Sequence, residues 1–186
     1  MPIPAFDHNL VLPPHLGSPT TLSDLSPYPA TTTELVHRFA TSNERVNILF
    51  GLLNFRQRLG ILGVTTGFQW LDGSFLEDIE TQEGRAPRDL DILTIYWGYD
   101  GNFQAALFQQ FPEFSNPVLS KTNFHLDHYP IDAGHHPELT VELTRYWVQL
   151  FTHNRNKVWK GMIRIELNTP ADDAIALQTL QNVQIP

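Results

Sequence analysis

No cysteine occurs among the 186 residues, which excludes disulfide staples and thiolate metal sites and fits a reducing, cytoplasmic compartment. Long apolar runs are missing as well. No stretch is long enough to span a bilayer, and the opening MPIPAFDHNL has neither a basic n-region nor an apolar h-region. A soluble, unexported protein with no membrane partner is therefore expected. Charge is sparse at 17%, and basic charge is sparser still, with 12 Lys and Arg against 20 Asp and Glu and a net charge of -8. That balance excludes a protein that coats nucleic acid by bulk electrostatics, because phosphate contacts need concentrated cations. Arg145, Arg155, Lys157, Lys160 and Arg164 nonetheless cluster within twenty positions, either as a local basic patch or as a solvated charged face. Neither internal repeats nor a linker are visible, and a 41% hydrophobic content suffices for one domain with a sizeable core.

Residues 1–32 are rich in proline and polar turn formers (LPPHLGSPTTLSDLSPYP). Proline fixes φ and removes a backbone donor, so this segment reads as an extended arm that packs on the body through Phe6, Leu10 and Leu12. The body, residues 33–186, begins with a short helix carrying Leu35, Val36 and Phe39 on one side. A longer helix follows, capped by Ser42, with one stripe of Val46, Leu49, Phe50 and Leu53 and a second of Ile48, Leu52, Phe55 and Leu59. Two stripes predict a largely buried helix, and Gly60 and Gly63 punctuate its end. Residues 65–71, 89–96, 122–131 and 161–167 read as strands bounded by Gly, Pro, Asn or Asp. Helices are expected over 101–111, over Pro137 to Phe151, and after Thr169, where Pro170 stands at N1 and Asp172 and Asp173 favour the helix dipole. The whole is an α+β pattern, a mixed or antiparallel sheet flanked by helices.

The chemistry-bearing stretch is WLDGSFLEDIETQEGRAPRDLDILTIY, residues 70–96. Alternate strand residues share a face, so Asp89 and Asp91 project the same way with backbones roughly 6.5–7 Å apart. Two such carboxylates repel unless a cation sits between them, and hard oxygen ligands suit Mg²⁺ or Mn²⁺. Gly73 and Ser74 stand where the preceding strand ends. Glycine there permits close backbone approach to a phosphate, and exposed N–H groups with the serine hydroxyl can bond its oxygens. Each element alone is common, Asp-x-Asp as a solvated face and Gly-Ser as a turn.

In this order, Gly-Ser after a strand and Asp-x-Asp opening the next apolar strand, the pattern resembles the signature of the polymerase-β-like nucleotidyltransferase superfamily. Residues 75–88 make a longer gap than is usual in it, with EGRAP read as a surface excursion. The resemblance implies a third carboxylate on a neighbouring strand, for which TNFHLDHYPID offers Asp127, of one strand parity with His125 and Tyr129. Asp132 has the opposite parity. Together with FDHNLVLPPHLG, HLDHYPID and YWVQLFTHNRNKVWKGMIRIEL, the chain is similar to a bacterial family of nucleotidyltransferase-like proteins, some encoded near mobile or defence loci. What the resemblance implies is a nucleotidyltransferase-type domain in which Asp89, Asp91 and Asp127 hold Mg²⁺ or Mn²⁺ and serve catalysis, while Gly73 and Ser74 hold the triphosphate. A nucleoside monophosphate would pass from an NTP to a protein, RNA or small-molecule acceptor. The alternative is a silent module of the same fold that binds a partner, as an antitoxin or regulator would.

The tract HNRNKVWKG stays open between two readings. Arg155, Lys157 and Lys160 contact the triphosphate or an anionic acceptor, with Trp147 or Trp159 as a stacking surface. Otherwise Asn154 to Lys157 form a turn with exposed cations, and Trp159 lies in the core. The eight histidines, His125, His128, His135 and His136 among them, show no compact zinc-ligand spacing.

Overall fold

In the computed structural model, which describes residues 3–185, the helical stripes fall where their spacing places them. Thr31 opens α1 (Thr32–Phe39) with a reciprocal capping box involving Glu34, and Leu35, Val36 and Phe39 are buried. Ser42 accepts from the Arg45 N–H at 3.3 Å and begins α2 (Asn43–Ile61). Both stripes of α2 are engaged in packing, and Gly63, at φ 84°, turns the chain away just beyond its end. The last helix, α7 (Pro170–Gln181), starts at the expected proline, but Thr169 makes no side-chain cap. Its hydroxyl instead accepts from Arg56 at 2.6 Å, while Asp173 pairs with Arg56 and Asp172 accepts from the Thr32 N–H at 2.7 Å. The two aspartates thus fasten α7 to α2 and α1. No described helix is long and apolar enough to cross a membrane.

The sheet is mixed. It contains β1 (Tyr28–Pro29), β2 (Gly67–Asp72), β3 (Leu90–Tyr96), β4 (Leu126–Asp132) and β5 (Ile163–Glu166) in the order β1-β5-β2-β3-β4. The pairs β2/β3 and β2/β5 are antiparallel, whereas β3/β4 and β1/β5 are parallel. One face presents Leu71, Leu90, Ile92, Ile163 and Ile165 to α1, α2, α7 and α4 (Gly101–Gln110), forming the main core. The other presents Trp70, Leu93, Ile95 and Ile131 to Trp147 and Phe151 of α6 (Pro137–Phe151). The molecule is an α+β domain, and the alternation along each strand decides which residues meet which helical layer.

Two segments depart from expectation, and one does more than its spacing implied. The strand expected over 122–131 begins only at Leu126, because α5 (Pro117–Phe124) precedes it. Asn116 caps that helix through the Val118 and Leu119 N–H groups, Pro117 occupies N1, and His125, at φ 57°, turns the chain into β4. The segment after Gly73 is core up to Ile79: Phe75, Leu76 and Ile79, the first residue of α3 (Ile79–Glu83), are buried. Buried Arg45 holds it, donating to the Phe75 and Glu77 carbonyls at 2.7 Å each and to Glu80 at 2.6 Å. The excursion is confined to the chain around Gly84. The arm, expected to be extended, instead folds back in turns at Asp7–Val11 and in a 3-10 turn at Leu22–Asp24, contributes β1 and buries Val11 and Leu12, with Phe6 against Phe39 and the Tyr28 hydroxyl donating to the Pro13 carbonyl at 2.7 Å.

Gly51 is where α2 meets α5: a Cβ there would land on the Phe124 carbonyl oxygen. Helix propensity alone favours alanine by about 1 kcal/mol. The backbone clash reverses the sign, so Gly51→Ala is expected to lower stability by about 1–3 kcal/mol. Urea unfolding checks this, and a raised midpoint would contradict the close approach.

Candidate functional site

Register builds the site. Asp72 at the end of β2 pairs with Asp91 of β3, and Asp91 pairs with Asp127 of β4. One step further in, Trp70, Leu93 and Tyr129 are paired in the same way, so the acidic row continues an apolar row on the α6 face. Neighbouring strands lie about 4.8 Å apart, which brings three carboxylates side by side at one edge of the sheet. A one-residue slip would exchange the two faces and turn the aspartates into the main core, so burial of Leu71 and Ile92 on one face and Leu93 on the other enforces the pairing. Asp89 stands just before the ladder, which closes with the Leu90 N–H donating to the His125 carbonyl at 3.1 Å.

Two lysines answer this negative charge. From α5, Lys121 pairs with Asp89. That hydrogen bond holds the Lys121 pKa above its ordinary value, and Asp127 and Asp91 add to the rise through space. From below, Lys160 reaches Glu77 at 2.7 Å, Asp72 at 3.0 Å and the Gly73 carbonyl at 3.2 Å. Its ammonium is held charged by these partners. Burial pushes the Asp72 carboxyl up to about 7 against the opposing pull of Lys160 and the Gly73 N–H, and pushes Asp91 up to about 6, aided by Asp89 and then Asp127. Asp72 Oδ1 has the Lys160 charge nearby but no directed hydrogen bond.

Above the row opens a cavity of about 420 Å³, walled by Lys121 on one side and by Tyr146, Trp147 and Leu150 of α6 on the other. Gly73 and Ser74 line it beside the carboxylates. Gly73 is required twice, by its φ of 87° and because a Cβ would lie 2.7 Å from Asp91 Oδ2. Ser74, half-buried, starts a single 3-10 turn, Ser74–Leu76.

The residues expected from sequence thus meet in one place, with a changed role for Lys160. At 2% exposure it engages protein carboxylates and a carbonyl, so it supports the Gly73–Ser74 turn from beneath. Asp72, Glu77 and Lys121 were not anticipated. Asp72 adjoins the Gly-Ser pair and lay one residue beyond the expected strand, whereas Lys121 was hidden by the unrecognised α5. Asn154 does form a turn, its Oδ1 accepting from the Asn156 and Val158 N–H groups, and Arg155 and Lys157 are exposed. Trp159 is not in the core: it is 45% exposed against His15. Trp147 is the buried one, packed on Tyr129. His128 is a neutral core histidine between Phe55 and Phe114, its pKa lowered to about 3 by burial, with Nε2 2.8 Å from Thr94 Oγ1.

The donors suit a hard cation in kind, being carboxylate oxygens beside a glycine that leaves room at Asp91. Among the described residues, however, no three His, Asp or Glu side chains are gathered closely enough to hold an ion. Asp89, the first of the expected ligands, is engaged by Lys121.

Two outcomes are expected. Lys160→Met leaves Glu77 and Asp72 buried without a countercharge and should cost about 3–5 kcal/mol of stability in chemical denaturation. Asp91 keeps its proton to about pH 6 when folded but releases it near pH 4 when unfolded. The folded state therefore binds more protons between these values, and stability falls as pH rises through that window. Asp91→Asn removes the fall, giving a gain of about 1–3 kcal/mol above pH 6 that vanishes below pH 4; a pH-independent difference in Tm would contradict it.

No curated protein and no solved structure matches the chain. A family match does exist over residues 4–166, a span that takes in all five strands and every carboxylate of the site. The chain belongs to a family of unknown function (DUF6932).

Proposed function

We propose that this protein is a metal-dependent nucleotidyltransferase. The observation that carries the reading is the in-register pair Asp91 and Asp127, with Asp89 two residues before Asp91 and the Gly73–Ser74 turn in contact range of Asp91, all lining one cavity. That combination is the one its sequence resemblance implies. Asp89, Asp91 and Asp127 are not gathered closely enough to hold an ion as they stand, so this reading requires them to close on Mg²⁺ or Mn²⁺, which would neutralise triphosphate charge and acidify a hydroxyl.

The chain's own groups supply the rest. The Gly73–Ser74 turn offers backbone N–H groups and a hydroxyl to phosphate oxygens, and Lys160 holds the Gly73 carbonyl so that this turn keeps its place. The acceptor oxygen forms a bond to the α-phosphorus as the α–β phosphoanhydride bond breaks and pyrophosphate leaves. Asp127, half-buried on the sheet's edge strand, would take the hydroxyl proton in this reading. Catalysis here rests on positioning and charge rather than on a covalent intermediate. Exposed Arg155 on the cavity rim favours an anionic acceptor, whether an RNA, a protein or a small molecule. Work in the cytoplasm, within a toxin or defence system, belongs to the same reading.

A second reading has its own observation. The Lys121–Asp89 pair neutralises one of the three ligands, as a partner-binding module that has lost transfer would allow. Calorimetric titration with the four nucleoside triphosphates, with and without Mg²⁺, separates the two. Binding of one triphosphate that needs Mg²⁺ and is lost in Asp89→Asn/Asp91→Asn is the expected result. Folded protein that binds none of them would leave the binding module as the function.

A further inference from the structure

Charge around the cavity is paired except at its centre and at one point on its rim. Arg85 is held by Glu83 at 2.6 Å, Lys121 by Asp89, and Lys160 by Glu77 and Asp72. Among the described residues Asp91 and Asp127, the in-register pair, have no ion-pair partner, and Arg155, the remaining cation of the lining, stands exposed without one. A second sign of a missing donor lies beside the pair. Asp72, 3% exposed and lining the same cavity, has an Oδ1 that receives no hydrogen bond, although the Lys160 charge is 3.0 Å away. Burial and then the neighbouring Asp89 and Asp127 raise the Asp91 pKa to about 6, as befits a row short of positive charge.

Spacing limits what can answer that deficit. The carboxylates stand on strands about 4.8 Å apart, and among the described residues no three of them close on a point as a metal ion requires. A guanidinium does not require it: planar, with five N–H donors in a fixed fork, it serves oxygens spread along a row. It also stacks on aromatic faces and is more weakly hydrated than an ammonium. The cavity supplies such faces. Tyr129, Trp147 and Tyr146 line it as one wall, with ring centroids 4.8 Å apart for Tyr129 and Trp147 and 5.2 Å apart for Tyr146 and Trp147. Its volume of about 420 Å³ suits a guanidinium on an aliphatic stem.

We infer that the cavity binds a guanidinium group, seated between Asp91 and Asp127 and against the wall of Tyr129, Trp147 and Tyr146. The group is carried by a small molecule or by an arginine of a partner protein. This site does not rest on the nucleotidyltransferase reading, and a metal ion drawn onto the same carboxylates would compete with it.

Butylguanidinium and butylammonium have the same charge and the same stem, so their difference isolates the head group. In an NMR titration followed at the Trp147 indole N–H, butylguanidinium should bind roughly three- to tenfold more tightly than butylammonium. Asp91→Asn and Asp127→Asn should each weaken it roughly ten- to hundredfold. Tyr146→Ala, at an exposed position, should erase the preference between the two heads. A cooperative thermal transition in every variant is the folding control. Equal affinity for the two heads, or guanidinium binding unmoved in both aspartate variants, would overturn the inference. L-arginine binding more tightly than butylguanidinium, with its carboxylate on Arg155, would support a small-molecule ligand, and a capped Gly-Arg-Gly peptide doing so would support a partner's arginine. Binding of a triphosphate with Mg²⁺ but not of butylguanidinium would overturn this inference and leave the nucleotidyltransferase reading standing. The reverse would remove that reading and leave this site.

Discussion

A buried ammonium organises this protein's acidic edge. Lys160 enters from the segment that follows α6 and binds Glu77, Asp72 and the Gly73 carbonyl, so two stretches far apart in sequence converge on one charge. A buried cation without partners is costly, and so is a buried carboxylate. Each therefore enforces the other's position. The Gly73 turn is fixed by that network from below and by Asp91 from the side, where no Cβ would fit. The geometry of the cavity floor follows from the need to compensate charge out of water.

Above that floor the balance is left deliberately incomplete in energetic terms. Three carboxylates in adjacent register repel, and burial already raises Asp91 well above its ordinary range. Apolar pairing one step inward, Trp70 with Leu93 and Leu93 with Tyr129, holds the strands against this repulsion. Lys121 relieves it only partly, from a position half in solvent. The row concentrates negative charge in a walled cavity, where screening by water is weaker.

The layers explain why the site sits at this edge. The main core, built by α1, α2, α4 and α7, occupies one face of the sheet, while α6 covers the other over Trp147 and Phe151. Where α6 ends its cover, the acidic row opens to the cavity with Tyr146 and Leu150 on its wall. Arg45 and Arg56, both buried, stitch other elements to α2, one the segment after Gly73 through Glu80 and the carbonyls there, the other α7 and β2 through Asp173 and Gln69. Both arginines act as structural cations and leave the lysines to the site.

Local spacing was enough to read α1, α2, α4, α6, the apolar strands and the common face of Asp89 and Asp91, because helical and strand periodicities are written in neighbouring residues. Parity also picked Asp127 over Asp132, and in the register Asp127 lies opposite Asp91 whereas Asp132 lies opposite Tyr96. What spacing could not supply was the content of contacts between distant segments. Short α5 has no strong apolar period, so its capping by Asn116 and the reach of Lys121 to Asp89 emerged only once β4 was docked on β3. Lys160 and Trp159 are adjacent on one loop, yet one is buried with carboxylates and the other lies on the surface beside His15. Their fates depend on which partners packing brings to each side of the chain, and partner identity across a fold leaves no trace in local periodicity.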